Sequence, residues 1–178
     1  MKGKIIEAAF VLAAAIVLAF CFVSCQNTGG RSKEYVSGDG SFSITVPGEW
    51  TVGDDGRAEY IVLDNSDMTF SILVQRFQKT DPSFGDFQSF VDYYKESVLQ
   101  SMIEAAGEPQ QESLSIEGME QAVAESYEIS EADSTVKAFV AYIESETAYY
   151  VYTLSGTGEV YDQQIEAQRS AVSSLKEK

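Results

Sequence analysis

Few side chains in this chain of 178 residues are of the types that perform chemistry at neutral pH. There is no histidine, which removes the commonest general base, the usual activator of serine and cysteine nucleophiles, and the commonest zinc ligand. The two cysteines, Cys21 and Cys25, both lie near the amino terminus. The remainder of the chain therefore has no thiol nucleophile and no disulfide. The sequence predicts a non-catalytic protein without a metal or other cofactor.

Cys25 stands at the end of a segment with the features of a secretory signal. Two lysines make its start basic, residues 8–23 form an unbroken apolar run, and Ser24 places a small residue directly before the cysteine. A basic start, an apolar centre and a small residue at the cleavage site define a signal peptide. We therefore expect residues 1–24 to be removed on export.

The run Phe22-Val23-Ser24-Cys25 resembles the lipobox of bacterial lipoproteins, in which an apolar, a permissive and a small residue precede an essential cysteine. The resemblance implies that Cys25 carries a diacylglyceryl group on its sulfur and becomes the first residue of the mature protein. The protein would then be lipid-anchored at the extracytoplasmic face of the cell membrane. Two alternatives stay open: an uncleaved transmembrane anchor, although about 17–25 residues are needed to span a bilayer, and ordinary secretion with an incidental cysteine.

After the cysteine the chain is first small and polar. Residues 25–33 have no apolar periodicity and indicate a flexible tether, which leaves residues 34–178 as one domain. The chain has 28 acidic and 12 basic side chains, a formal charge of −16 at pH 7. Such a body repels phosphate backbones, so nucleic acid is not expected as a partner. Any charged partner should be cationic.

Clustered carboxylates offer two further kinds of chemistry, Ca²⁺ binding by an Asp-rich loop and acid–base hydrolysis of glycosides. The densest pairs lie in two predicted turns, Asp54 with Asp55 and Asp64 with Asp67. Neither turn has the spacing of an EF-hand loop, and Asp itself favours turns, so we do not expect a metal there. A serine–lysine nucleophile would need a buried lysine beside a serine, with Lys79, Lys95 and Lys137 as the candidates.

Tyrosines suggest a binding site, because tyrosine is enriched at recognition surfaces. Four of them are concentrated on two predicted neighbouring strands: Tyr142, Tyr149, Tyr150 and Tyr152. Tyrosine is also favoured in strands and in cores, which explains most of these positions without a ligand. Adjacent residues of a strand point to opposite faces, so Tyr149 and Tyr150 cannot belong to one site.

The spacing of apolar residues predicts the elements that position these side chains. Alternation of period two indicates strands over residues 34–37, 42–46, 50–52, 59–64 and 69–78. Helical spacing then predicts a helix over residues 86–106, with Asp86 as its N-cap. Further strands are expected over residues 112–116, 121–130, 134–144 and 147–154, followed by a second main helix from Tyr161 to Leu175.

This order of elements defines the expected fold class. Short gaps between strands favour antiparallel hairpins, and strands that are apolar on both faces require cover on both sides of their sheet. We therefore predict an α+β domain with one antiparallel sheet of about six to seven strands, flanked by the two main helices.

The segment from Phe42 to Val52, an apolar strand followed by Pro47-Gly48-Glu49-Trp50, resembles the opening of PsbP-like domains. The resemblance covers about residues 34–177 in the order of the elements. It implies a PsbP-like α/β/α sandwich, in a family whose members are small binding subunits, such as the extrinsic PsbP protein of photosystem II and a nuclear-import factor that binds the GTPase Ran. Only the structural Pro47 and Trp50 match, so no functional residue is transferred.

These observations favour a lipid-anchored binding or accessory module that serves an unknown protein of the cell envelope. A small-ligand-binding lipoprotein for transport is the first alternative, and it would require a deep pocket. A carboxylate-dependent envelope hydrolase is the second, and it would require two buried acids with raised pKa values in one cleft.

Overall fold

The computed structural model describes residues 31–53, 56–131 and 134–178. The predicted signal peptide, Cys25, most of the tether, and the pair Asp54 and Asp55 lie outside these residues. The strands are β1 Lys33–Val36, β2 Phe42–Val46, β3 Thr51–Val52, β4 Tyr60–Asp64, β5 Phe70–Gln78, β6 Gln110–Leu114, β7 Gln121–Glu131, β8 Ser134–Glu144, β9 Ala148–Thr157 and β10 Lys176–Glu177. The α-helices are α1 Phe87–Ser97, α2 Gln100–Ala106 and α3 Gly158–Ala171, and a short 3₁₀ helix covers Val172–Ser174.

Seven strands form the central sheet in the order β3-β4-β5-β9-β8-β7-β6, and every neighbouring pair is antiparallel. The long strands β5, β9, β8 and β7 occupy its middle. Their register places Tyr149 opposite Phe77, Tyr152 opposite Val74, and Glu125 opposite Val140. The α+β class with an antiparallel sheet is thus confirmed.

Each face of the sheet is covered by its own hydrophobic core. On one face α1 and α2 pack against the sheet through α1's buried stripe, Phe87, Phe90, Val91 and Tyr94. On the other face lie α3 and a small three-stranded sheet, β1-β2-β10, which contributes Phe42, Ile44 and Val46. The result is a layered sandwich with the central sheet in the middle.

The predicted long helix is in fact two helices. Val98, expected on the buried face, is 55% exposed, and the amide N–H groups of Val98 and Leu99 both donate to the carbonyl of Tyr94. The chain turns at this point and buries Leu99 instead. The predicted N-cap is confirmed, because the Asp86 carboxylate accepts from the Ser89 amide at 2.8 Å.

Strands β1 and β2 belong to a second, smaller sheet, whereas the sequence predicts a single sheet. β2 pairs with β1 on one side and with the carboxyl-terminal strand β10 on the other. A two-residue strand such as β10 has too little pattern to be found in the sequence. Trp50 is half-buried against the core on this face, and its indole N–H donates to the carbonyl of Pro47 at 2.9 Å.

Within the described ranges, no helix has the length and apolar character needed to span a membrane.

Candidate binding groove

The candidate site is a groove of about 240 Å³ between helix α1 and the edge strand β6 of the central sheet. Its α1 wall carries Gln88, Val91 and Lys95, and its opposite wall carries Gln111 and Ser113. Register explains the opposite wall, since Gln111 pairs with Glu125 and Ser113 with Val123 on the neighbouring strand β7. Side chains of paired residues project to the same face of a sheet, here the face that α1 covers.

Glu125 lies at the floor of this groove and is only 2% exposed. Its carboxylate accepts from the Lys95 ammonium at 2.7 Å and from the Gln111 amide at 2.7 Å. It also accepts from the hydroxyls of Tyr127 and Tyr142, both of which are buried. Lys95, Gln111, Glu125, Tyr127 and Tyr142 together are termed the Glu125 cluster.

The hydrogen bonds of the Glu125 cluster keep its carboxylate charged. Burial by itself would raise the pKa of Glu125, but the bonds from Lys95, Tyr127 and Gln111 outweigh it, and the pKa is lowered from its usual value. Burial and the bond to this carboxylate raise the pKa of Tyr127. The cluster therefore holds a carboxylate and neutral phenols at neutral pH.

These protonation states suit a structural role better than acid–base catalysis. A general acid requires a carboxyl with a raised pKa, and a general base requires a lone pair that points at substrate. Both carboxylate oxygens of Glu125 already accept hydrogen bonds, from four donors within the protein. Glu112, the other acid in the groove lining, pairs with Ala124, whose side chain lies in the core of the opposite face, and forms an ion pair with Arg169 of α3. Glu125 and Glu112 therefore lie on opposite faces of the sheet, whereas the hydrolase hypothesis requires two acids that face one cleft.

A second concavity meets the first at Lys95. It has a volume of about 690 Å³ and lies between α1 and α2. Three exposed carboxylates, Asp92, Glu96 and Glu104, line it together with the apolar Ile103. The ammonium of Lys95 is already committed to Glu125, so the exposed lining of this concavity is anionic. The combined surface, from Ile103 across Lys95 to Ser113, is termed the α1–β6 groove.

Strand β6 gives the α1–β6 groove an unpaired backbone edge. Of the described strands, β6 is the last in the central sheet and pairs with β7 alone. Among the described residues, no backbone hydrogen bond joins residues 110–114 to any segment other than β7. Three of its five residues are exposed, and the other two are partly so. The opposite edge strand, β3, is only two residues long.

The four tyrosines proposed from the sequence do not form a surface. All of them are at most 4% exposed. Tyr142 and Tyr149 lie in the core beneath α1, whereas Tyr150 and Tyr152 lie in the core beneath α3. Tyr149 stacks on Phe90 with 4.6 Å between the ring centroids, and the hydroxyl of Tyr152 donates to the carbonyl of Gln168. The rings that were candidates for binding are core residues.

The other sequence candidates have structural contacts of their own. Lys79 forms ion pairs with Glu120 and Glu144 at 2.8 and 2.7 Å, and Lys137 forms one with Asp162 at 2.8 Å. In the described part of the chain no three Asp, Glu or Cys side chains lie together as metal ligands. The turn of Asp64 and Asp67 is closed by Asn65, whose side-chain oxygen accepts from the amides of Thr69 and Phe70.

Sequence reasoning did not identify Glu125, the centre of the site. The sequence does contain a signal, because Val123, Glu125 and Tyr127 share one face of a predicted strand. If that face is buried, the charged side chain between the two apolar ones requires a hydrogen-bonding or charged partner. The identity of that partner was beyond the sequence. Lys95 is 30 residues away along the chain, on a helix whose placement depends on the order of the strands.

The fold places the chain among α+β domains built on an antiparallel sheet. No family model matches the sequence, and no curated protein matches it. A protein from Bacteroides thetaiotaomicron is similar in structure, with a TM-score of 0.53, 15% identity and 82% of this chain covered. This chain spans 48% of the length of that protein. At this level of identity the likeness concerns the fold alone.

Two smaller proteins match over nearly their whole length. PsbP from the cyanobacterium Synechocystis has a TM-score of 0.47 and 14% identity, with 87% of this chain and 98% of that chain covered. LpqN of Mycobacterium tuberculosis, a protein involved in cell envelope biogenesis, has a TM-score of 0.44 and 14% identity, with 83% and 90% covered.

Proposed function

We propose that this protein is a non-catalytic binding module, lipid-anchored through Cys25 at the extracytoplasmic face of the membrane, and that the α1–β6 groove receives a partner protein. The observation that carries the proposal is the state of the Glu125 cluster. Its titratable groups are satisfied by one another, at the floor of a groove that is itself open. A site built in this way offers shape, charge and an unpaired strand edge, and it offers no reacting atom.

Photo-crosslinking in living cells tests the binding function. A photoreactive amino acid replaces Ser97, an exposed residue of the groove, or Gln163, an exposed residue of α3 as the matched control. We expect the full-length protein to give a discrete adduct with one envelope protein from Ser97 and none from Gln163. Equal, diffuse labelling from both positions would contradict a partner in this groove.

Lipid anchoring has a separate test with a control inside the same segment. Cells fed an alkyne-bearing fatty acid should label the wild-type protein and a Cys21→Ala variant, because the lipobox resemblance assigns the lipid to Cys25. Cys25→Ala should lose the label and retain its signal peptide, which a mass measurement detects. Equal label in Cys25→Ala would contradict the assignment.

A further inference from the structure

We propose that the partner of the α1–β6 groove is an extended, cationic peptide segment, which adds to the free edge of β6 as an eighth strand and lies against α1. This inference rests on the proposed function and specifies the chemistry of the partner. Three independent features of the groove lead to it: the unpaired edge, the helix beside it, and the sign of the surrounding charge.

No described segment pairs with the outer edge of β6, and the strand has little of the protection that such edges usually carry. A strand edge displays N–H and C=O groups that can template another strand, and proteins usually blunt such edges with lysines, prolines, bulges or shortness. The opposite edge, β3, is blunted by its length of two residues. β6 has five residues and no lysine or proline within it. Its one charge, Glu112, is held by Arg169 of α3, which lies across the opposite face of the sheet.

Helix α1 turns the open edge into a groove. A peptide that extends a sheet beside a helix presents alternate side chains to the helix, and that combination gives affinity through the backbone and specificity through the side chains. Gln111 and Ser113 project from β6 toward this side, and Val91 and Lys95 project from α1. The groove is thus polar at its rim and apolar along part of its helical wall.

The negative charge around the groove favours a positively charged segment. Residues 81–108, which contain both helices of this layer, include six acidic residues and one basic residue. The basic residue, Lys95, is bonded to the buried Glu125. The concavity that continues the groove is lined by Asp92, Glu96 and Glu104. Lysines or arginines of a bound segment would meet these carboxylates, whereas an acidic segment would be repelled.

A second copy of this chain is a poor occupant of the same edge. Two β6 strands paired about a two-fold axis at Glu112 would place like charges opposite each other, which is destabilising. The chain as a whole also carries a formal charge of −16 and repels its own copies. The edge therefore favours a partner of opposite charge over self-association.

The test uses the full-length expressed protein, purified in a non-ionic detergent, and fluorescent peptides of about ten residues, the upper end of the usual strand length. One peptide alternates Lys and Val, one alternates Glu and Val, and a third is the Lys peptide with alternate backbone nitrogens methylated, which removes N–H donors and keeps the charge. We expect the unmodified Lys peptide to bind and the Glu peptide not to bind. Methylation should weaken binding at least about tenfold, and added salt should weaken it further.

Protein variants locate the contact. Glu104→Lys should weaken binding of the Lys peptide about three- to tenfold, and Glu166→Lys, the same change on exposed α3, should leave it unchanged because salt screens distant charges. Hydrogen–deuterium exchange should show slower exchange of backbone amides within residues 110–114 when the peptide is bound.

Three results would overturn the inference. If the methylated Lys peptide binds equally well, the groove is an anionic patch without strand addition, and the proposed binding function survives. If sedimentation shows a dimer in which residues 110–114 are protected without peptide, the occupant is a second copy. If none of the peptides binds while crosslinking from Ser97 yields a discrete adduct, the partner is of another class; loss of that adduct as well would remove the proposed function itself.

Discussion

Glu125 shows how one buried charge is accommodated at the scale of a residue. The cost of removing a carboxylate from water is large, and the fold offsets it with an ammonium, an amide and two phenols. Removing one group of such a cluster destabilises a protein more than replacing the whole cluster with apolar side chains. The reason is that the remaining polar groups are left buried without partners.

Glu125→Gln tests this arrangement. The amide keeps the shape of the carboxylate, removes the charge that balances Lys95, and places N–H donors against the donors of Gln111 and Tyr127. We expect the free energy of unfolding in urea to fall by about 2 kcal/mol. Glu166→Gln, at an exposed position of α3, is the matched control and should be neutral. Equal stability of the two variants would mean that the cluster contributes nothing.

Among the carboxylates whose pKa is lowered, Glu125 is buried and Glu177 is partly buried, and both contribute to the pH dependence of stability. Burial raises the pKa of Glu177, but hydrogen bonds from Thr147, Ser145 and Tyr150 outweigh it, and like Glu125 it titrates below the ordinary value of 4.5. Each carboxylate stabilises the fold above the pKa of the unfolded chain, and that stabilisation disappears as the pH falls through the lower pKa of the folded state. Urea titrations should show stability declining as the pH falls below the ordinary carboxyl pKa of 4.5. The decline should be shallower for Glu125→Gln, whereas parallel curves would contradict the contribution of Glu125.

At the scale of the element, Gly156 is a tight point of the central sheet. It lies in β9 opposite Phe70, and a β-carbon built there would stand 2.6 Å from the Phe70 ring and 2.9 Å from the carbonyl oxygen of Thr69. Gly158, two residues later at the start of α3, has no neighbour closer than 3.4 Å. Gly156→Ala should cost about 2–3 kcal/mol of unfolding free energy, because backbone of β5 must shift, and Gly158→Ala should cost nothing. Thermal unfolding of both variants measures the difference, and matching melting temperatures would refute the close contact.

Elements with strong periodicity were predicted from the sequence, and elements that depend on distant contacts were not. The strand Phe42–Val46 was predicted at its observed bounds, since five alternating residues end at a proline. The break at Val98 was not, because an apolar residue continues the helical pattern there and only the packing of Leu99 shows that the chain turns. Tertiary context decided what local pattern left undetermined.

The candidate groove depends on topology more than on any motif. The spacing of apolar residues predicts β6 and α1 as separate elements. The groove between them exists only because the strand order β9-β8-β7-β6 leaves β6 at an edge beside α1. The strand order of an antiparallel sheet follows from contacts that lie far apart in sequence. The acidity of the chain, in contrast, is a property of the sequence, and the cationic partner expected from it stays a prediction. Three carboxylates of residues 81–108, Asp92, Glu96 and Glu104, line the groove.

At the scale of the whole molecule, charge is distributed unevenly. The layer of α1 and α2 contains one basic residue, whereas the small sheet contains two, Lys33 and Lys176, and Lys178 directly follows it. Lys178 forms an ion pair with Glu34 at 3.1 Å in the small sheet. Residues 81–108 hold six acidic residues and one basic residue, so like charges repel one another within the helical layer that carries the candidate groove.

This repulsion predicts that salt stabilises the fold. Screening shortens the range of repulsion between the exposed Asp92, Glu96 and Glu104 and costs little elsewhere, because surface ion pairs contribute weakly. Raising NaCl from about 10 to about 200 mM should increase the unfolding free energy in urea by about 1 kcal/mol. Urea is the suitable denaturant because guanidinium is itself a salt.

The double variant Glu96→Lys with Glu104→Lys should be more stable than the wild type at low salt, and its unfolding free energy should depend less on NaCl. If the stability of the double variant depends on NaCl as that of the wild type does, the carboxylates of the helical layer contribute no measurable repulsion. The cationic partner inferred for the groove would then lose its electrostatic basis.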